Sequence, residues 1–118
     1  MAKVYDLEER LTLLAKRVRV LVREIKKDIA NIEDCKQLVR SSGSVAANYI
    51  EANEALSDKD FIHRLKISRK ESKETILWLN LIDPLGAPGI ENEIELLKQE
   101  TTEILKILSS IINKRTGG

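Results

Sequence analysis

Six basic side chains, Lys16, Arg17, Arg19, Arg23, Lys26 and Lys27, fall within twelve positions, and only Glu24 opposes them inside that run. On a helix such a run is either the solvated face of an amphipathic element or a stripe that contacts phosphates, where released counterions supply most of the affinity. Residues 1–30 hold eight basic and five acidic side chains, and residues 57–83 hold six and five. The whole chain has 20 basic and 19 acidic residues, a formal net charge of +1, so it is not a polycation that coats nucleic acid by charge alone. Base stacking needs exposed aromatic faces. Only Tyr5, Tyr49, Phe61 and Trp78 are present, and several of them belong to apolar patterns.

Other chemistry lacks its parts. The single histidine, His63, follows Asp60 by three positions. A di-iron site in a helical bundle needs four carboxylates and two Glu-x-x-His motifs projecting inward. The lone His63 also weakens any Ser/His or Cys/His nucleophile scheme. Cys35 is the only cysteine, which excludes an intrachain disulfide and a Cys-rich zinc site. No phosphate-cradling glycine loop occurs. Glu71 and Glu74 are paired carboxylates by spacing, but such pairs on a charged helix are ordinarily solvated or salt-bridged. The expectation is a protein with no catalytic residue, no metal, no cofactor and no evident small-molecule substrate.

The elements that position these residues follow from apolar spacing. The 118 residues suit one domain, 1–118. Pro84, Gly86, Pro88 and Gly89 crowd into one stretch, and strand-type alternation is absent. Leu7, Leu11, Leu14, Val18, Leu21, Ile25 and Ile29 recur at steps of three or four and predict a first helix over about 6–29. Asn31 to Asp34 read as a turn. Asp34 with Gln37 caps a second helix over about 34–55, carrying Leu38, Ser42, Val45, Tyr49 and Ala52 on one face. Ser57 with Asp60 opens a third over about 58–83, whose seam is Phe61, Leu65, Ser68, Ser72, Thr75, Leu79 and Ile82. A fourth over about 90–114 carries Ile90, Ile94, Leu97, Thr101, Ile104, Leu108 and Ile111, with acids at its start and Lys114 and Arg115 at its end, as the helix dipole favours. Short connections force neighbours antiparallel, which predicts an all-α, up-down-up-down antiparallel four-helix bundle.

Ser41, Ser42, Gly43, Ser44, Ala46 and Ala47 concentrate small side chains on the second helix. They suit either close approach of two helices or approach of a ligand or RNA backbone. Arg40, Ser44, Asn48 and Glu51 share one face, and Lys66, Lys70, Glu71 and Glu74 recur on the third helix. Facing each other, these groups would form an interhelical polar network that fixes register. The stretch Ile76, Leu77, Trp78, Leu79, Leu81, Ile82 and Leu85 is apolar nearly all round, more than one bundle seam buries. The surplus predicts a second interface, with Ile76, Leu77 and Trp78 in a subunit contact. The start Met1 to Asp6 lacks an apolar signal core, no stretch approaches bilayer length, and a cytoplasmic protein without membrane contact is expected.

The segment from Gln37 through Gln-Leu-Val-Arg-Ser-Ser-Gly-Ser-Val-Ala-Ala-Asn-Tyr-Ile-Glu-Ala-Asn-Glu-Ala, then Ser57-Asp58-Lys59-Asp60-Phe61, Lys70-Glu71-Ser72-Lys73-Glu74-Thr75 and Trp78-Leu79, resembles the 23S ribosomal RNA intervening-sequence proteins, also labelled S23. The resemblance spans essentially all of the chain and is most specific from Leu38 to Leu79. It implies a small bacterial four-helix bundle that assembles as a homopentamer. The motif carries over as Arg40, Ser41, Ser42, Asn48, Glu51 and Ala52, and as Asp60, Phe61, Lys66, Glu71, Glu74, Trp78 and Leu79. More distantly the chain is similar to the accessory proteins of diversity-generating retroelements, which are strongly basic nucleic-acid-binding rings; the near-cancelling charge here departs from them. Two functions stay open: an oligomer that binds RNA or a ribonucleoprotein through the helix-one stripe, and an oligomeric scaffold that binds only protein.

Overall fold

The computed structural model describes residues 6–117, so Tyr5 lies outside the described residues. Four helices follow one another: α1 (Leu7–Glu24), α2 (Ile29–Asn53), α3 (Asp58–Leu81) and α4 (Pro88–Thr116). No strand occurs among the described residues. α1 packs on α2, α2 on α3, α3 on α4, and α4 closes back on α1, which leaves α1 and α3 at opposite corners. The result is the all-α antiparallel bundle that the apolar periodicity predicts.

Each stripe delivers its residues to the core. Leu11, Leu14, Val18, Leu21 and Ile25 are buried from the first helix and its exit. Leu38, Val45 and Ala52 face them from α2, Leu65, Leu79 and Ile82 from α3 and its exit, and Ile94, Leu97, Ile104, Leu108 and Ile112 from α4. A fully buried Leu, Ile or Val side chain contributes about 1.5–3 kcal/mol. Polar members of the seams are buried with partners. Ser41 and Thr75 hydroxyls meet at 2.9 Å, and Ser68 donates to the Val45 carbonyl at 2.7 Å. These small hydroxyls let α2 and α3 approach closely without leaving polar atoms orphaned.

The first connection differs from expectation. α1 ends at Glu24, and α2 begins at Ile29 rather than at about residue 34. The N-cap is Asp28, whose carboxylate accepts from the Asn31 N–H at 2.7 Å; Asp34 lies inside the helix. Ile29 therefore leaves the α1 stripe and is 86% exposed. The Ser57 cap falls where it was read, and α4 starts at Pro88, two residues ahead of the expected start near 90. Ser57 accepts from the Asp60 N–H at 3.1 Å, and Pro88 occupies the first turn of α4, where its missing N–H is harmless. Leu85 and Gly86 both take positive φ, 52° and 80°, in the turn before it. The Asp83 carboxylate supports that turn by accepting from the Leu85 N–H at 2.8 Å.

Candidate functional site

The six cations of the helix-one run separate into two groups. Arg17 lies over the α1–α4 groove and pairs with Glu93 at 3.2 Å, one heptad from the Arg10–Glu100 pair at 2.7 Å. Both pairs staple α1 to α4. Arg19 bends back to donate to the Ala15 carbonyl at 3.0 Å. Lys27 donates its ammonium to the carbonyls of Val22 and Ile25, two acceptors that the end of α1 leaves free. Lys16, Arg23 and Lys26 are exposed, and no ion pair among the described residues engages them. Three of the six are thus spent on the fold, and three present their charge to solvent.

The small-residue cluster on α2 is also divided. Ser41, Ser42 and Ala46 are buried, as close helix packing requires. Gly43 is different: a Cβ there would stand 3.3 Å from Arg19 Nη2, the tip of a flexible side chain, and would meet no backbone. Gly43→Ala is therefore expected to stabilise the protein by about 0.5–1 kcal/mol, through helix propensity, with a small swing of Arg19. Urea unfolding checks this; a loss of stability would mean that the Arg19 tip cannot yield.

The predicted polar face is partly assembled. Arg40 on α2 grips Glu71 on α3 with two parallel bonds, Nη1 to Oε2 at 3.0 Å and Nη2 to Oε1 at 3.1 Å. Nη2 also reaches Glu74 at 3.4 Å. The Glu71 side chain is 9% exposed, whereas that of Arg40 is about half exposed. Burial pushes the Glu71 carboxyl up, but the Arg40 hydrogen bonds and charge, with help from Ser44 and Glu74, outweigh it and hold the group below its ordinary value. Asn48 donates to the Ser44 carbonyl and hydroxyl and accepts a long 3.5 Å contact from Arg64. Glu51 and Lys66 are exposed and join no ion pair among the described residues. The network is a register lock between α2 and α3, with the Glu71 carboxylate buried and the Arg40 guanidinium covering it from the surface.

One polar residue was not singled out by sequence reasoning. Asn31 is buried, and its amide spans two connections: Nδ2 donates to the carbonyls of Lys26 at 3.0 Å and Asp83 at 2.8 Å, and Oδ1 accepts from the Asp83 N–H at 3.0 Å. The spacing of Asp28 and Asn31 was the available signal, since it marks a helix start. Cys35 is buried, and burial raises its thiol pKa by more than nearby Lys27 lowers it, so it is a packed side chain and not an activated nucleophile. Among the described residues, no three His, Cys, Asp or Glu side chains gather as metal ligands.

Of the proposed contact residues, Leu77 is 47% exposed, while Ile76 and Trp78 are half-buried. Trp78 packs against the core, and its indole N–H is buried without a hydrogen-bond partner. Leu81 and Leu85 are also exposed at that end of the bundle. On the α1–α4 side, Leu13, Val20 and Leu96 expose apolar surface next to Arg17. No described helix is long and apolar enough to cross a membrane.

Comparison with known proteins agrees with this architecture. Residues 5–110 match the family model described as 23S rRNA-intervening sequence protein. A crystal structure from Bacteroides thetaiotaomicron VPI-5482, of a protein with unknown function from the S23 ribosomal protein family, is 34% identical, with a TM-score of 0.75. The alignment covers 91% of this chain and 98% of that one. No curated protein matches.

Proposed function

The chain belongs to the 23S rRNA-intervening sequence protein family, and from that premise we propose that it is a non-enzymatic, self-associating bundle that binds structured RNA or a ribonucleoprotein through α1 and the connection that follows it. The observation that carries this reading is the exposed set Lys16, Arg23 and Lys26, which no carboxylate neutralises by an ion pair among the described residues. Their charges are available to phosphates, whereas Arg17 ties α1 to α4, and Arg19 and Lys27 donate to carbonyls of α1 and its exit. Three cations on one chain bind weakly. A homopentamer, the assembly implied by the family resemblance, repeats them, and linked weak sites raise avidity about 10²-fold or more where the geometry allows joint contact. Leu13, Val20, Leu77 and Leu81 supply exposed apolar surface for such self-association.

The triple variant Lys16→Gln/Arg23→Gln/Lys26→Gln should lose RNA retention in low-salt filter binding, for all sequences alike, while helicity and light-scattering mass stay unchanged. Arg17→Gln should lower stability and leave RNA retention intact. If the parent protein retains no structured RNA at low salt, the protein-only scaffold becomes the better reading, and its surface is the same set of exposed apolar side chains.

A further inference from the structure

We propose that the outer face of α3 is a second phosphate-binding surface, which takes the backbone of structured RNA through Lys59, Lys66, Lys70 and Lys73. With His63 these residues step by four, three, four and three along the helix, so they lie in one line. At 1.5 Å per residue that line is about 21 Å long. All five side chains are exposed, and no ion pair among the described residues engages the four lysines. Three of the four acids of the same helix are engaged elsewhere: Asp58 pairs with Arg115 at 2.9 Å, and Glu71 and Glu74 pair with Arg40.

α3 therefore sorts its charges by side. Three of its four carboxylates are engaged by two arginines of other helices, Asp60 stays exposed near the start of the helix, and its four lysines face outward outside any ion pair among the described residues. A shallow hollow lined by Asp58, Lys59, Ile62, His63 and Lys66 opens on this face, so the surface is not filled by the protein's own side chains. Because α3 stands diagonally opposite α1, the two cationic faces point away from each other. One bundle can then meet two RNA segments, or bridge them. The α4 face of a second copy is the weaker match, because Glu95 and Glu103 there are already paired with Lys98 and Lys106.

This inference rests on the RNA-binding reading above, and one experiment separates the two. The probe is a fluorescent RNA hairpin longer than the stripe, titrated with the full chain by anisotropy over about 50–200 mM salt. The variant is Lys59→Gln/Lys66→Gln/Lys70→Gln/Lys73→Gln, with the four Lys→Arg substitutions as a charge-preserving control. Loss of four phosphate contacts should weaken binding at least about tenfold and flatten the slope of log affinity against log salt by about 3. The Arg version should bind like the parent. Unchanged affinity and slope in the Gln variant would overturn the α3 surface and leave the α1 reading standing. Absence of binding by the parent would remove both. If the Gln variant loses light-scattering mass together with RNA affinity, the stripe is a contact between copies, and the proposal fails.

Discussion

Asn31→Ala should lower the unfolding free energy by about 3 kcal/mol, since it deletes three hydrogen bonds and leaves a part-buried N–H and two carbonyls without partners. The loss comes from geometry and not from size, because a cavity left by one amide is small. Asn31→Asp tests this. It keeps the shape and the acceptor that holds the Asp83 N–H, but it turns a carboxylate oxygen toward the Lys26 and Asp83 carbonyls. It should be at least as damaging as Ala above pH 6. The readout is the urea midpoint at constant slope, which assigns the change to stability and not to a new unfolded state. A loss under about 1 kcal/mol for Ala would show that water replaces the amide at little expense.

Arg40→Ala should cost about 2–3 kcal/mol at neutral pH, somewhat less than a fully buried pair because Arg40 is half exposed. The damage lies in the partner: Glu71 remains buried as a carboxylate with nothing to compensate its lost hydration. Arg40→Met/Glu71→Leu removes both charges and should recover most of the loss. Acid adds a second signature. The folded Glu71 carboxyl titrates below its unfolded value, so the pair's contribution is complete above the unfolded pKa of about 4.3 and disappears as pH falls through the folded one. The parent should therefore lose stability on acidification below about pH 5, and Glu71→Gln should show a shallower decline. Equal acid slopes in the two proteins would exclude Glu71 as a contributor.

How far the sequence reveals these features depends on whether the decisive contact is local. The four seams are local, because spacing alone decides which side chains share a face. The Ser57 cap is local too. The α1–α2 break was read five residues late, because Ile29 continues the step from Ile25 and no Gly or Pro intervenes. Asp28 and Asp34 both stand three residues before an amide side chain, and the tertiary fold selects the first. Lys26 and Lys27 ahead of Asp28 were the remaining hint, as cations gather where a helix ends. Arg40, Glu71 and Glu74 were expected to face each other and do so. Arg17 was grouped with the phosphate stripe because its carboxylate partner, Glu93, lies 76 positions away. Lys66 and Lys70 of α3 were assigned to the interhelical polar face, and Lys59 and Lys73 were not singled out, for a related reason. They alternate in sequence with acids that the fold turns to another side, so the block's net charge hides them.

The α1–α4 seam closes the longest loop in the molecule. Its ion pairs join residues 90 and 76 positions apart, whereas α2 and α3 meet across the short turn from Glu54 to Ser57. Chain-closure entropy grows with separation, so this seam is expected to close after the hairpins, which stopped-flow folding of Arg10→Gln and Arg17→Gln variants would check. It is also the smallest of the four helix contacts, and partly exposed charge pairs hold it. Salt weakens such pairs. α1 is consequently the segment whose amide hydrogens exchange by the easiest local opening, with α2 and α3 still locked together. Each such opening parts Arg10 and Arg17 from their carboxylates, so two guanidinium charges that are paired in the closed bundle face solvent uncompensated while α1 is out.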